Sequence, residues 1–399
     1  MVLMIVNTRL LVQLVEMRGL AAHAIIASFI TWVALLNFGV PFSVQNLISR
    51  FRADGHQLDE IRQTASSITV LLGLAFLPVV LVTAFLVRRY LLADYPFVSF
   101  PALAFAFTCL FVGGLGTVYM SMLYAEHRGI WPNVYPAATT FLVFVMLLIC
   151  KHYAVINFNW ILALYFLPNA FFAVLAFNLL GLRLRVHLET ALARTIIRDA
   201  KGFALIATLG ALTLSVDYII LSRILPPTDV ATYSLTSKIF LVIQAIHAVV
   251  LNSAWTPLSD LFFARKLRAA RHRAIQLGAL GVTLSVCWSA IVLVAAPHIY
   301  RLLAPNSVIQ VSSGFLLLWV GYIVIRTWSD SFYIVLQSFG DTKALRRYMF
   351  FQAPISIGLQ WLLGTRYGMQ GILVGVSLSF VLTCAWYLPL RTMAMTRTA

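Results

Sequence analysis

Four charged side chains of this sequence stand inside long apolar stretches, where a charge costs about 2.5–3.5 kcal/mol if the stretch crosses a membrane. Asp217 and Lys238 lie in consecutive stretches that run in opposite directions, each roughly 10–12 Å from the same surface at the rise of an α-helix, and could pair. Arg326 and Asp330 are four residues apart and share one helix face. Two structural ion pairs would explain these residues. The functional hypothesis places Lys238 and Arg326 on the wall of a water-filled cavity. There Lys238 binds an anionic group, and Asp217 modulates Lys238.

Two asparagines lie toward the inner ends of apolar stretches and are further candidates for the cavity wall. Asn37 precedes Pro41, and Asn252 precedes Pro257. Proline leaves backbone carbonyl groups without partners, so we expect a helix kink near each asparagine. Bent helices are tolerated at membrane depth where they line a cavity. Hydrogen bonding between helices by the two amides is the equal alternative.

Arg50 shares a helix face with Ser43 and Asn46 and is another candidate for the cavity wall. The alternative is that the aliphatic part of the Arg50 side chain lies along the apolar surface and its guanidinium group reaches the membrane surface. The complete set of candidate cavity residues is Lys238, Arg326, Asn37, Asn252, Asp217, Asp330, His23 and Arg50.

The sequence contains none of the common catalytic motifs. HExxH, GxSxG and Walker-type glycine-rich loops are missing, and the four cysteines form no CxxC pair. We therefore predict that the protein is not an enzyme and uses no metal or cofactor. Without a nucleotide site, any pumping must be driven by an ion gradient or by the membrane potential.

The elements that must position these residues are membrane-spanning helices. The chain has 399 residues, of which 61% are hydrophobic and 11% charged, whereas a soluble domain carries about 25% charged residues. Repeated runs of about 20 residues with almost no charge predict spanning helices, and hence an all-α integral membrane protein. The predicted spans are 1–16, 21–48, 66–92, 97–124, 134–153, 158–180, 203–225, 231–255, 275–296, 313–338, 348–363 and 368–390.

The net charge of +16 is explained by membrane topology. With these spans, most Lys and Arg residues fall in one set of alternating loops and at the C-terminus. Short loops that are rich in Lys and Arg lie on the cytoplasmic side of a membrane. Both chain ends are therefore expected in the cytoplasm, and the charge needs no nucleic-acid partner.

The two halves of the chain resemble each other. A shift of 215 positions places His23 on Lys238 and Asn37 on Asn252, in one register that extends over about 120 residues. An even number of spans gives the two halves the same orientation, related by an axis along the membrane normal.

This repeat divides the chain into three parts. They are an N-terminal six-helix bundle at 1–181, a basic amphipathic cytoplasmic link at 182–201 and a C-terminal six-helix bundle at 202–399. The register also makes helix 1 short, because the residues before Arg9 are too few to cross the ~30 Å hydrocarbon layer. We expect the true start to lie upstream of Met1.

Several short runs carry a family resemblance. They are DYIILS at 217–222, TYS at 232–234, KIF at 238–240, QSFGDTK at 337–343 and YGMQG at 367–371. With twelve spans arranged as six plus six, they resemble the polysaccharide-transport branch of the multidrug/oligosaccharidyl-lipid/polysaccharide (MOP) exporter superfamily. The chain departs from the family at 37–39, where Asn-Phe-Gly stands in place of an Asp-Leu-Gly type of sequence.

The resemblance implies a MATE-like pair of six-helix bundles around a central cavity that opens alternately to each side. It implies a flippase that moves polyprenyl-diphosphate-linked oligosaccharide, such as O-antigen or other surface polysaccharide repeat units, across the bacterial inner membrane. The implied partners are this lipid-linked oligosaccharide and membrane lipids, with a polysaccharide polymerase and a chain-length regulator as neighbours. The cavity cations and asparagines would replace the hydration of the substrate, and His23 or Asp217 could add proton coupling.

Three other functions stay open. A cation-coupled drug or small-molecule antiporter of the same superfamily would favour unpaired acidic residues deep in the bundle, whereas Asp217 and Asp330 each have a cation nearby. A peptidoglycan-precursor flippase usually has two further spans. A non-transporting membrane scaffold would not need paired charges inside a repeated bundle.

Overall fold

The described part of the chain is built from α-helices. The computed structural model describes residues 2–53, 58–126, 128–154, 157–182, 187–304 and 311–397, and these ranges contain no strand. The predicted all-α class is confirmed. The helices are α1 (Val2–Ala34), α2 (Val40–Ala53), α3 (Asp59–Tyr90), α4 (Phe100–Ala125), α5 (Ile130–His152), α6 (Phe158–Leu179), α7 (Thr190–Leu214), α8 (Asp217–Ile224), α9 (Pro227–Phe263), α10 (Leu267–Leu303), α11 (Ser313–Ser338), α12 (Thr342–Leu382) and α13 (Cys384–Met395).

Each predicted span lies on a helix or on two consecutive helices, and several of the helices extend well beyond the predicted limits. The tenth span coincides with α11. The second span, 21–48, begins in α1 and ends in α2, and the twelfth, 368–390, begins in α12 and ends in α13. α1 leaves helical geometry at Glu16 (φ 56°, ψ −175°) and α12 at Gly368 (φ 60°, ψ −140°), which are the points where one span gives way to the next. Nine helical segments of the described chain are long and apolar enough to cross a membrane, some of them holding two spans. The protein is a multi-pass membrane protein.

The chain forms two compact units, and the boundary between them lies inside α7. The units comprise residues Val2–Thr208 and Leu209–Ala399. α7 begins within the predicted link and continues into the seventh predicted span, so residues 190–201 are not separate from that span. Residues 183–186 of the link lie outside the described part. The division at 181 and 202 stays a prediction.

In the N-terminal unit, α4 is the central helix. It packs against α1, α2, α3 and α6. The start of α7 also joins this unit, because Ile196 and Ala200 belong to the same buried apolar cluster as α2 and α3. The Ser43 hydroxyl donates to the Ile196 carbonyl (2.9 Å), and the backbone N–H of His187 donates to the Ser67 hydroxyl (2.8 Å). The described end of the link is therefore packed on this unit.

In the C-terminal unit, α11 takes the central place. It packs against α9, α10, α12 and α13. This helix carries Arg326 and Asp330, and it is not among the nine apolar segments. A helix of this polarity is unfavourable in contact with lipid, so its enclosure by four other helices is what allows it to lie within the membrane.

Candidate functional site

Asp217 begins α8, directly after a break in the seventh span. Residues 215–216 separate α7 from α8. One carboxylate oxygen of Asp217 accepts a hydrogen bond from the backbone N–H of Tyr218 (2.8 Å), and the other accepts one from the Tyr233 hydroxyl of α9 (3.1 Å). The N-terminus of a helix also stabilises a negative charge. Asp217 is thus a half-buried carboxylate that two donors hold at the break.

The break is supported from α12. The Thr213 carbonyl, at the end of α7, accepts hydrogen bonds from Ser356 Oγ (3.1 Å) and Gln360 Nε2 (3.3 Å), and Gln360 also donates to Ser356 Oγ (2.8 Å). All three residues are buried. A buried carbonyl without a donor would cost about 1–3 kcal/mol. The two side chains of α12 therefore stabilise an interrupted helix at membrane depth.

Arg326 lies near the middle of α11 and interacts with two acidic residues. Its Nε lies 3.6 Å from the Asp330 carboxylate, which confirms the predicted pair, and its guanidinium interacts electrostatically with Asp217 of α8. Nη1 donates to the Tyr322 hydroxyl (2.6 Å), and Cζ lies 5.8 Å from the centroid of the Tyr322 ring. The Arg326 side chain is 19% exposed and that of Asp330 30% exposed, while Arg326 Nε itself is buried.

Lys238 does not form the ion pair with Asp217 that equal depth suggested. None of the ion pairs in the described part of the chain includes Lys238. Tyr233 occupies the face of α9 that meets Asp217, and Lys238, five residues later, points about 140° away around the helix. Lys238 is therefore a half-buried ammonium group without an ion-pair partner among the described residues.

Asn252 lies on the same side of α9 as Lys238. Fourteen residues separate them, which leaves them about 40° apart around the helix. Ala245, Val249 and Asn252 are exposed and Lys238 is half-buried, so this face, the open face of α9, is open from Ala245 to Asn252. α9 continues through Pro257 to Phe263, and the kink expected here does not interrupt the helix.

Sequence analysis missed the uncharged polar residues that surround the charges. Gln244 of α9 donates to the Asp330 carboxylate. His247, one turn further, is 1% exposed, and its Nε2 lies 3.2 Å from the Ser331 hydroxyl of α11. The available signal was spacing, because Tyr233, Gln244 and His247 fall on one face of a helix with 3.6 residues per turn.

Aromatic rings close the charged site toward the interior of the unit. Trp319 is 2% exposed, stacks on Phe240 with ring centroids 5.7 Å apart, and lies 5.4 Å from the ring of Tyr233 and 5.5 Å from that of Tyr322. Rings that exclude water lower the local dielectric and strengthen the interactions of nearby charges. The two tyrosine hydroxyls bond to Asp217 and Arg326, so this wall is apolar in its body and polar at its edge.

In the N-terminal unit, Asn37 lies at a true helix break. Residues 35–37 form a 3₁₀ turn, Phe38 takes a left-handed conformation (φ 52°), and α2 begins at Val40. The Asn37 side chain accepts a hydrogen bond from the Gly39 N–H (3.0 Å) and donates to the Thr117 hydroxyl of α4 (3.2 Å). The predicted kink is confirmed, but it lies before Pro41, which sits in the first turn of α2, where proline is tolerated.

Gly39 allows this break to pack on α7. Its φ of 73° favours glycine, and a Cβ placed on it would lie 2.7 Å from the Ala204 nitrogen and 2.8 Å from the Ala200 carbonyl oxygen. Beside it, the rings of Phe42 and Phe203 lie 5.4 Å apart. The break is therefore fixed to the first half of α7.

The two other candidates of the N-terminal unit give no support for a cavity wall. His23 is 2% exposed, and its ring lies 4.3 Å from the Tyr165 ring and 5.6 Å from the Phe166 ring, on which it stacks. This packing favours a structural role, and a cavity role for His23 stays a prediction. Arg50 lies in α2, but its side chain falls outside the described part of the chain.

The structure thus brings Asp217, Arg326 and Asp330 together and leaves Lys238 and Asn252 on an open face of α9. A family model described as MatE matches residues 203–362, the segment that carries all five. A solved structure described as the inward-facing conformation of a multidrug resistance MATE family transporter of the MOP superfamily has a TM-score of 0.78 at 12% identity, covering 100% of this chain and 96% of that one. The chain has the MOP superfamily fold. The fold that the resemblance implied is confirmed.

A second solved structure and two sequence relatives also match nearly the whole chain. The lipid II flippase MurJ, in an inward closed conformation, has a TM-score of 0.73 at 12% identity, covering 98% of this chain and 85% of that one. A relative from Yersinia pseudotuberculosis, named as an O-antigen export protein, is 29% identical over 96% of this chain and 90% of its own length. A relative from Salmonella typhi, named as an O-antigen transporter, is 27% identical over 98% of this chain and 91% of its own length.

Proposed function

We propose that this protein is a flippase that moves polyprenyl-diphosphate-linked oligosaccharide, such as O-antigen repeat units, across the bacterial inner membrane by alternating access. The observation that carries the proposal is Lys238, an ammonium group at membrane depth without an ion-pair partner among the described residues. A charge in such a place is unfavourable unless something neutralises it. A substrate diphosphate supplies the missing negative charge.

The open face of α9 suits the polar part of such a substrate. Lys238 would bind the diphosphate as a point charge. Asn252, about 21 Å further along the helix at 1.5 Å per residue, offers an amide to the sugar hydroxyls. Arg326 would provide a second cation once its carboxylate partners release it. The lipid tail stays in the bilayer, because a bare diphosphate cannot enter hydrocarbon but a polyprenyl chain can.

The membrane potential can drive this transport without a nucleotide site. Outward movement of negative charge is favoured by an inside-negative potential, by about 2.3 kcal/mol per charge per 100 mV. We propose that the protein binds and moves its substrate without catalysing a reaction. The C-terminus would lie in the cytoplasm, and a polymerase and a chain-length regulator would act on the exported units.

An antiporter for cationic drugs is the second candidate, since the MatE family model and the MATE structures favour it. Such a transporter needs a free carboxylate for its cation. Here Asp217 is bonded to Tyr233 and Tyr218, and Asp330 is bonded to Gln244 and lies 3.6 Å from Arg326. The occupied carboxylates and the free ammonium favour an anionic substrate instead.

Cells that lack the protein provide the test. We expect lipid-linked repeat units to accumulate on the cytoplasmic leaflet and surface polysaccharide to disappear. Leaflet location is measured by the access of an added glycan-modifying enzyme to spheroplasts and to inverted membrane vesicles. The wild-type chain should restore export, and the Lys238→Ala variant should not. Normal surface polysaccharide with new sensitivity to cationic drugs would contradict the proposal and support the antiporter.

A further inference from the structure

A dense group of basic side chains lies at the beginning of α10, apart from the charged site described above. Lys266 directly precedes the helix, and Arg268, Arg271, His272 and Arg273 occupy its first two turns. All five side chains, which we call the α10 basic cluster, are exposed. None of the ion pairs in the described part of the chain includes any of them.

The α10 basic cluster is unfavourable for the helix that carries it. Arg268 and Arg271 are three residues apart, and like charges at this spacing repel each other on a helix surface. The N-terminus of a helix also disfavours cations, because the helix dipole is positive there. The first turn of α10 has no acidic residue, and residues 261–329 contain no Asp or Glu. Nothing in this long stretch supplies the negative charge that would relieve the repulsion.

The corresponding helix of the N-terminal unit shows that the fold does not require such a cluster. In the repeat register α10 corresponds to α3, whose first turn carries Asp59 and Glu60. Arg62 of α3 lies 2.9 Å from the Asp59 carboxylate and 2.6 Å from the Glu126 carboxylate. α3 thus begins with balanced charges, and α10 begins with cations alone. Membrane topology favours positive charge on one side of the membrane, but it does not require that charge on this helix.

The exposed side of α10 changes from basic to apolar within about two turns. Arg268 and Ile275 are seven residues apart, which places them about 20° apart around the helix. Ile275 is exposed, as are Leu280 and Val286 further along the same span. Exposed apolar side chains on a spanning helix contact the acyl chains of lipids. The α10 basic cluster, directly beside them, therefore lies at the level of the lipid headgroups.

We propose that the α10 basic cluster binds the headgroup phosphate of an anionic phospholipid of the surrounding membrane. Basic clusters immediately beside a spanning helix attract anionic lipids, and guanidinium donors match the geometry of phosphate oxygens. The guanidinium groups of Arg268, Arg271 and Arg273 form no hydrogen bond or ion pair in the described part of the chain. The site is separate from Lys238 and Arg326, and the inference does not depend on which substrate is transported.

Binding of pyrene-labelled phosphatidylglycerol to the purified full-length protein in a neutral detergent tests the proposal, with energy transfer from tryptophan as the signal. Each Lys or Arg near an anionic lipid contributes about five-fold to binding. Replacement of Arg268, Arg271 and Arg273 by Gln should therefore weaken binding on the order of 100-fold. Replacement of the same three residues by Lys keeps the charge and should preserve most of the binding.

The matched control removes three other arginines of the C-terminal unit. Arg223, Arg301 and Arg366 are exposed and lie apart from one another in α8, α10 and α12. Their joint replacement by Gln changes the net charge of the protein by the same amount, and this variant should bind phosphatidylglycerol like wild type. Equal binding by the two Gln variants would overturn the proposal, because net charge alone would then account for the affinity.

Two further measurements keep the test decisive if the variant with three Gln replacements in the cluster does not fold. Arg271→Gln alone should weaken binding about five-fold. Raising the salt concentration from about 0.1 M to about 1 M shortens the screening length from about 10 Å to about 3 Å and should weaken binding to wild type. Salt-independent binding, or displacement of the probe by unlabelled phosphatidylcholine or inorganic phosphate as readily as by phosphatidylglycerol, would overturn the proposal. None of these results would alter the proposed transport function.

Discussion

The central helices of the two units, α4 and α11, differ in what they carry at matching positions. In the repeat register, Arg326 and Asp330 of α11 correspond to Phe111 and Leu115 of α4. Phe111 is 2% exposed and Leu115 9% exposed, so α4 fills these positions with core side chains. The same architecture is therefore built once without charges and once with them. A bundle of this kind therefore needs no ion pair at these two positions to fold.

The difference between the two helices assigns separate tasks to the two units. We propose that these charges, which insertion into the membrane makes unfavourable, belong to a functional site. The same contrast holds between His23, packed among aromatic rings, and its counterpart Lys238 on an open face. The C-terminal unit carries the charged site, whereas the N-terminal unit carries the helix break at Asn37 that packs on α7.

The largest expected effect is at Lys238. Loss of one cation from a desolvated charge pair removes about 2–5 kcal/mol of binding, so Lys238→Ala should reduce export on the order of 100-fold at normal protein level. Lys238→Arg keeps the charge and should restore part of the activity. Surface polysaccharide in complemented deletion cells measures this, with Lys343→Ala, an exposed lysine, as the control. A greater loss from His23→Ala than from Lys238→Ala would reverse the assigned roles.

Replacing Arg326 and Asp330 of α11 with the residues at the matching positions of α4 should separate the effect on stability from the effect on transport. Arg326→Leu alone leaves Asp330 without its cation and should cost about 3–5 kcal/mol of unfolding free energy. The double variant Arg326→Phe, Asp330→Leu has the residues of α4 and should be within about 1 kcal/mol of wild type. Thermal unfolding in detergent measures stability, and the amount of surface polysaccharide measures transport. The double variant should fold and fail to export, and wild-type export by it would refute the assigned role of this pair.

The break in the second span should tolerate no side chain at Gly39. Gly39→Ala places a Cβ against the backbone of α7 at a left-handed residue, and we expect a loss of about 1–3 kcal/mol. Gly202→Ala is the matched control, because its added Cβ meets nothing within 4 Å, and it should be neutral or slightly stabilising. Equal melting temperatures for the two variants would show that the close packing on α7 does not stabilise the fold.

The smallest expected difference is between the two asparagines. Asn37→Ala removes the hydrogen bonds to Gly39 and Thr117 and should cost about 1 kcal/mol. Asn252 is exposed, and no hydrogen bond of its side chain is present in the described part of the chain, so Asn252→Ala should not change the melting temperature. The same unfolding experiment compares them. A larger loss at Asn252 would indicate a structural role for the open face of α9.

The sequence predicted what depends on position along a helix. The limits of α11 follow from hydropathy, and the pair of Arg326 and Asp330 follows from a spacing of four residues. Depth along the helix also suggested a pair between Asp217 and Lys238, but depth does not specify direction around the axis. Tyr233 has the direction that meets Asp217, and Lys238 does not.

Features that depend on other helices could not be predicted. Residues 211–220 contain neither proline nor glycine, so nothing local marks the break between α7 and α8. Its support comes from Ser356 and Gln360, more than 140 residues away. His247 was overlooked for the same reason, since its neighbours Ser331 and Gly281 belong to other helices. At Asn37 the proline predicted a kink, but the break is made by Phe38 and Gly39 before it.

The most direct measurement is the rate at which purified protein moves a fluorescent polyprenyl-diphosphate-linked oligosaccharide between the leaflets of a vesicle. Wild type, Lys238→Ala and Lys343→Ala would be reconstituted at equal density, and the exposed label quenched from outside at intervals. We predict rapid movement with wild type and Lys343→Ala, and a rate near that of protein-free vesicles with Lys238→Ala. Equal rates for wild type and Lys238→Ala would contradict the claim that this ammonium group binds the diphosphate during transport.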